Sequence, residues 1–314
     1  MTTMPERISV RVPATSANLG CAFDCAALAL ALYLDIHVTC RPDSIVSVRY
    51  SGVNPERIPS DETNLIARTM QKVLSGWGNE HGFDLEINNQ IPVGVGLGSS
   101  AAAIVGSVVA SYWIAGRPLY DDELVSLATQ IEGHPDNVAA AWHGGFTVAL
   151  QEGKRVLAYS SPVPDLVHII LVTPAYALST EEARAALPAQ YSRADVVHNL
   201  QRAAVLAAQL FCGKTDFHPT FFDDRLHQVY RAPLMPGLKD VLNLKHPDLL
   251  GVCLSGAGPS ILAFTRGTGP AAGEAICHIL REKGVESQFS VICPDNRGAK
   301  GWSLPVREFS SGCA

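Results

Sequence analysis

The chain has 314 residues, 47% of them hydrophobic and 17% charged, and a net charge of −6 at neutral pH. That length suits one large domain or two ordinary ones, and that composition supports a globular core and excludes global disorder. The acidic balance excludes a basic nucleic-acid surface, so an anionic ligand must be held by local donors and metal. The eight cysteines show no C-x-x-C or zinc spacing. Without a secretory signal or a membrane-length apolar run, they predict reduced thiols in a cytoplasmic protein with no membrane or nucleic-acid partner.

Ile8, Val10 and Val12 alternate with Ser9 and Arg11, a first strand that runs into the loop Pro13-Ala14-Thr15-Ser16-Ala17-Asn18-Leu19-Gly20. A polar, glycine-ended loop after a strand is a common binding position, because the sheet fixes it. Asp24 follows Phe23, and a lone Asp there caps or turns the chain. Prolines between 53 and 60 mark a loop, and a helix opens near Asp61 with Thr63-Asn64 as its N-cap and runs to about residue 74. Phe83-Asp84-Leu85-Glu86-Ile87 then alternates as a half-buried strand.

After that strand comes Pro92-Val93-Gly94-Val95-Gly96-Leu97-Gly98-Ser99-Ser100-Ala101-Ala102, and the small apolar run 101–115 with its stops Gly116 and Pro118 predicts a helix that begins at Ser99 or Ser100. Strand, glycine loop and helix N-terminus together make an anion cradle of free N–H groups and dipole. Nucleotide phosphates are placed here. No Lys precedes the serine pair, and Gly94-x-Gly96-x-Gly98 lacks the dinucleotide spacing, so neither of those two fingerprints applies. A serine-capped glycine turn without a ligand is the competing reading.

Residues 121–131 are predicted helical and lead into Glu132-Gly133-His134-Pro135-Asp136-Asn137-Val138. Glu132 is either a plain helix-end residue or, with Ser99 or Ser100, a magnesium ligand, since Mg2+ takes oxygen from one or two side chains plus phosphates. His134 is as readily structural as functional. Strands follow near 147–150 and 155–160. Pro162 and Pro164 then mark a boundary between domains 1–162 and 163–314.

The second half opens with a strand over 167–172, followed by a short helix capped by Thr180, a helix over 194–211 and another over 224–230 ending at Arg231. Arg184 and Arg231 are surface residues, or bidentate ligands of a carboxylate. Strands at 251–254 and 261–264 flank Ser255-Gly256-Ala257-Gly258-Pro259-Ser260, and a helix over 271–283 and a strand over 287–292 follow. From Pro294 the end reads as loop-rich and loosely held.

The Gly-Leu-Gly-Ser-Ser-Ala-Ala run resembles the second motif of the GHMP kinases. P-A-T-S-A-N-L-G-x-x-F-D is nearly the first motif of the homoserine kinases among them. It departs at Cys21-Ala22, where Pro-Gly is usual and where Ala adopts positive φ less easily. E-G-H-P-D-N-V, T-x-x-A-R, R-x-x-L-M-P-G and S-G-A-G-P-S resemble further segments of that family, in family order. The resemblance implies a two-domain α+β GHMP-kinase fold, with an N-terminal ribosomal-protein-S5-like ATP-binding domain and a C-terminal ferredoxin-like domain. It implies ATP-dependent phosphorylation of the L-homoserine side-chain hydroxyl in threonine biosynthesis, by a homodimer.

It also implies residue roles. Asn64 would lie against adenine, Pro92 to Ala102 against the triphosphate, and Mg2+ on Ser99 and Glu132. Thr180 would lie near the transferred phosphoryl group, with Asn18, Asp24, His134, Arg184 and Arg231 around homoserine. Asn137 stands where several other GHMP kinases have a catalytic Asp. Asp24 is the obvious base by chemistry, but an amide in place of the family's catalytic Asp accepts no proton, so no dedicated base is expected and substrate phosphate takes the proton after positioning. Cys21, if exposed, is expected to be a thiol whose alkylation inactivates. Two alternatives stand beside this: another small-alcohol GHMP kinase, and a non-catalytic ATP-binding sensor on the same fold.

Overall fold

The computed structural model describes residues 7–304. Its first part runs β1 (Arg7–Ala17), β2 (Ala26–Cys40), β3 (Val46–Gly52), α1 (Leu65–Gly76), β4 (Phe83–Asn89), α2 (Ser99–Ile114), α3 (Asp121–Glu132), α4 (Pro135–His143), β5 (Phe146–Glu152) and β6 (Arg155–Ser161). Its second part runs β7 (His168–Pro174), α5 (Thr180–Ala185), α6 (Arg193–Phe211), α7 (Gln228–Arg231), α8 (Leu238–Leu242), β8 (Leu249–Leu254), β9 (Ile261–Thr265), α9 (Ala271–Glu282), β10 (Ser287–Ile292) and β11 (Lys300–Leu304).

Period-two alternation buries Ile8, Val10 and Val12 on one face of β1. The strand does not stop there. Residues 13–17, expected as loop, stay antiparallel to β2 after a register shift between Pro13 and Ala14. Proline has no N–H for the ladder, and the irregularity accommodates it. β2 is long enough to pair also with β4 over Leu34–Cys40 and with β5 over Ala26–Leu28. β3 lies parallel to β4, with α1 as the crossover. The seven-stranded sheet has the order β11-β1-β2-β4-β3, and β5 and β6 continue from β2.

α2 is the central helix. Thirteen of its sixteen residues are buried, so it is a core element and not an amphipathic surface helix. Its small residues let the sheet come close: a Cβ on Gly106 would stand 2.6 Å from Ile36 Cδ1. Ser107 and Ser111 donate to the carbonyls of Ala103 and Ser107, one turn earlier in the same helix.

The second sheet is antiparallel with the order β10-β7-β9-β8, and α9 connects β9 to β10. That is the expected ferredoxin-like arrangement. Along β7 the faces alternate: Ile170 and Val172 pack with Ile276 and Leu280 of α9, while Ile169 and Leu171 join the core of β1, β2 and α2. The two sheets therefore share apolar packing. Pro162 and Pro164 fall between β6 and β7.

Several expectations change. The segment from Pro294 is tied down: Asp295 N donates to Ala29 O (2.9 Å), Tyr33 Oη donates to Asp295 Oδ2 (2.9 Å), and β11 pairs with β1. Residues 305–314 lie outside the described residues. The helix expected over 224–230 is shorter, α7 spanning Gln228–Arg231, and the Asp224 carboxylate accepts the N–H groups of Leu226, His227 and Gln228 in the turn that leads into it. Ser179, not Thr180, caps α5, in a capping box with Glu182. The motif segment after Gly133 forms α4, with Pro135 in its first turn.

Candidate functional site

Gly94, Gly96 and Gly98 all take positive φ. A Cβ on Gly98 would stand 1.9 Å from Thr15 Oγ1, and one on Gly96 would stand 2.2 Å from Ser255 O. Only glycine fits at either place. The close approach is stitched by hydrogen bonds: Leu97 O accepts from Thr15 N, Val95 O from Ser260 N, Gly96 O from Ser255 Oγ and Gly94 O from Leu178 N, over 2.7–3.1 Å. The glycine loop thus gathers the end of β1, the 255–260 turn and the segment leading to Thr180. Gly98 itself caps α2 in left-handed geometry, so no serine does. Ser99 and Ser100 open the helix, where unpaired N–H groups and dipole favour an anion.

Two adjoining cavities flank this loop. One, of about 200 Å³, is lined by Asn18, Asp24, Val93, Gly94, Gly96, Leu97, Gly98, Ser99, Ser100, Glu132, His134, Asn137, Thr180, Arg184 and Arg231, together with Asp136 and Gly256. The other, of about 260 Å³, shares Val93, Ser99 and Ser100 and is walled by Asn64, Ile58, Pro59, Leu65 and Tyr50. Pro92, Val95, Ala101 and Ala102 line neither cavity. Val95, Ala101 and Ala102 are buried and support the loop from behind.

At one end of the first cavity Asn18, Leu19, Gly20 and Asp24 all have positive φ. Leu19 is the strained member, since Asn and Asp tolerate that region better. Ala22 is not among them, so the Cys21-Ala22 departure adds no strain at Ala22. Cys21 is buried, its thiol donates to Phe221 O (2.9 Å), and burial pushes its pKa up to about 12. The exposure on which the expected reactivity depended is therefore not met.

Both Asp24 oxygens accept from Arg184, at 2.8 and 3.0 Å. Arg231 is 1% exposed, which rules out a surface role. Its Nε donates to Ala183 O (3.1 Å) and its Nη1 to Gly256 O (3.0 Å), and burial, then the Arg184 charge, pushes its pKa down to about 10. Asn18 Nδ2 donates to the same Gly256 carbonyl (2.9 Å), while Asn18 Oδ1 accepts from Asp24 N (2.9 Å). One carbonyl of the 255–260 turn therefore orients both Asn18 and Arg231.

At the other end Ser100 Oγ donates to Glu132 Oε2 at 2.7 Å, so the hydroxyl on this carboxylate is that of Ser100, not Ser99. Burial raises the Glu132 pKa. A carboxylate and a hydroxyl beside a helix N-terminus form the hard oxygen donor set that suits Mg2+. Burial, and then the Arg184 charge, push the His134 pKa below its ordinary value, while Asp24 opposes them. Asn64 spends its amide on its own surroundings: Oδ1 accepts from Ile66 N and Nδ2 donates to Pro59 O.

Asp136 also lines the cavity and is buried, and burial pushes its pKa up to about 6. In sequence an acid just after Pro at a helix start reads as ordinary first-turn chemistry, so nothing there marks it as a site residue. Its Oδ1 accepts from Asn137 N (2.7 Å) and Nδ2 (3.3 Å), while Thr15 Oγ1 donates to Asn137 Oδ1 (2.8 Å). Asn137 is thus clamped from both sides. His227 contacts Arg231 Nη1 through Nδ1 (3.1 Å), and its i,i+4 spacing to Arg231 is the only sequence signal of that contact.

The family model for the GHMP kinases N terminal domain matches residues 64–145, and that for the GHMP kinases C terminal domain matches 215–286. A homoserine kinase of Moorella thermoacetica is 40% identical over 294 residues, covering 92% of this chain and 98% of its own. One from Deinococcus radiodurans is 41% identical, covering 84% and 86%. A crystal structure of homoserine kinase from Cytophaga hutchinsonii superposes with a TM-score of 0.80 at 27% identity, covering 96% of this chain and 99% of that one. The chain belongs to the homoserine kinases of the GHMP kinase family.

Proposed function

We propose that the protein transfers the γ-phosphoryl group of ATP to the side-chain hydroxyl of L-homoserine, giving ADP and O-phospho-L-homoserine for threonine biosynthesis. The observation that carries this is one cavity in which Asp24, Arg184 and Arg231 open onto the glycine loop. A zwitterionic amino acid needs an anion for its ammonium group and cations for its carboxylate, and that set supplies both. A plain sugar or a hydroxy acid without an amine would leave Asp24 without a ligand charge to meet.

Adenine occupies the apolar cavity at Asn64, and the triphosphate runs along Gly94 to Ser100 against the start of α2. Glu132 and Ser100, with Ser99 adjacent, are the oxygen donors that would hold magnesium, which when bound neutralises phosphate charge. As homoserine enters, its ammonium group replaces Arg184 on Asp24, and its carboxylate takes up the Arg184 and Arg231 guanidinium groups. The Asp24–Arg184 pair is exchanged for two substrate pairs, and the carboxylate also meets the Arg231 charge, which has no carboxylate partner among the described residues.

With its amide fixed by Thr15 and Asp136, Asn137 has one remaining Nδ2 hydrogen to hold the hydroxyl oxygen. Leu178 bonded to Gly94 O keeps Thr180 beside the phosphoryl group. The bond from the hydroxyl oxygen to the γ-phosphorus forms as that to the bridging oxygen breaks, and the hydroxyl proton passes to a phosphoryl oxygen. The same reading includes a cytoplasmic homodimer. It also includes a division near residue 162, in which the first unit holds the nucleotide and the second contributes Thr180, Arg184 and Arg231.

A coupled ADP-release assay over L-homoserine, mevalonate and galactose tests the assignment. Turnover with L-homoserine and background with the others is expected. Comparable turnover with mevalonate or galactose overturns the substrate, and no release with any of them overturns the catalytic reading in favour of a sensor.

A further inference from the structure

His227 sits one helical turn before Arg231 and has 0% of its surface exposed. Its ring stacks on Phe23 with 5.1 Å between centroids, and the Arg231 guanidinium lies 5.5 Å from that same Phe23 ring. Imidazole Nε2 is 2.7 Å from Gly20 O, and Nδ1 is 3.1 Å from Arg231 Nη1. A carbonyl only accepts and a guanidinium only donates. The two partners therefore admit one neutral tautomer, with the hydrogen on Nε2 and the lone pair on Nδ1. An imidazolium would point an N–H at the guanidinium. Burial pushes the His227 pKa below the ordinary range and so does the Arg231 charge, while Asp224, 3.8 Å away, opposes them. Asp224 is itself engaged by Asn199 Nδ2, which also donates to Cys21 O in the first loop.

We propose that His227 is a positioning residue for the substrate carboxylate: its Nε2–H holds the first loop through Gly20 O, and its Nδ1 holds the Arg231 guanidinium in place. This rests on the reading of Arg231 as a carboxylate ligand. A buried, fully bonded network presets the guanidinium before substrate arrives. Loss of the Nδ1 bond leaves Arg231 its carbonyl partners, Ala183 and Gly256, but frees the guanidinium on the side of the first loop. The cost falls on homoserine binding, not on ATP or on the transfer step.

Two substitutions separate the ring contacts. His227→Asn retains an acceptor near the Nδ1 position, whereas His227→Gln reaches toward Gly20 O and gives up the Arg231 bond. His227→Gln is expected to raise KM for homoserine about tenfold, the effect of one hydrogen bond to a charged group. Its kcat and KM for ATP stay within about twofold of the parent, and His227→Asn recovers most of the loss. On an Arg231→Ala background, His227→Gln should add less than about twofold, because the two residues act through one contact. Equal KM in His227→Gln and the parent, or a full additional tenfold on the Arg231→Ala background, overturns the proposal. An Arg231→Ala variant with unchanged KM refutes the carboxylate-ligand reading itself and is recognised separately. Should both His227 variants fail to fold, the unmodified protein still decides. In a histidine-15N spectrum the ring identified by contacts to Phe23 must be the neutral Nε2–H form at pH 7, and an Nδ1–H or charged ring overturns the proposal.

Discussion

Asp24 and Arg184 already neutralise each other, whereas Arg231 has no carboxylate partner among the described residues. A substrate carboxylate on Arg184 therefore replaces a bond, but on Arg231 it adds one. Arg231→Ala is accordingly expected to raise KM for homoserine by about one to two orders of magnitude. Arg184→Ala should raise it less, and KM for ATP should hardly move in either; steady-state kinetics with each substrate varied measure this. Asp136 carries a pH signature. Its folded pKa of about 6 lies above an unfolded value of about 3.9. Between those values the folded state binds more protons, so stability falls as pH rises from about 4 to about 6 and stays lower above. Asp136→Asn removes that cost of roughly 2–3 kcal/mol. The ligand-free variant should melt several degrees above the parent at pH 7.5 and level with it near pH 4, as thermal scans at both pH values will record.

At the scale of elements, the glycine loop depends on space that a Cβ would fill. Gly98→Ala sets a methyl group against Thr15 Oγ1, displacing the end of β1 or the start of α2, and kcat/KM for ATP should fall by at least about tenfold. Gly153 shares positive φ but has nothing near its Cβ position in the β5–β6 turn. Gly153→Ala should cost about 1–2 kcal/mol of stability, with activity unchanged. Elements with strong periodicity or punctuation were legible in the chain: β4 from its alternation, α2 from its small apolar run, and α6 from its stripe and Gly213. Those set by side-chain bonds or distant partners were not. The turn before α7 is held by the Asp224 carboxylate, which accepts three backbone N–H groups, and β11 is short and is held by pairing with a strand almost 300 residues earlier. The burial of Arg231 was invisible for the same reason, since its carbonyl partners Ala183 and Gly256 come from two other segments of the chain.

Across the whole molecule, the order of motifs in the chain is more informative than any one of them, because three loops distant in sequence meet at one place: Leu97 O accepts from Thr15 N, Gly96 O from Ser255 Oγ and Gly256 O from Asn18 Nδ2. The end of the chain belongs to that closure: β11 covers the edge of β1, and Asp295 bridges to Ala29 and Tyr33. A chain ending at Asn296 should lose several degrees of thermal stability, by exposing the β1 edge and the side of α2 that Gly301 approaches. Light scattering should give twice the 33.5 kDa chain mass for the proposed homodimer. Selection of an amino-acid zwitterion for phosphorylation of its hydroxyl is read from the ratio of kcat/KM for L-homoserine to that for 3-aminopropan-1-ol, which is homoserine without its carboxylate. The guanidinium bonds that the alcohol cannot make should give a ratio of at least about one hundred, and equal efficiency for the two would contradict zwitterion selection.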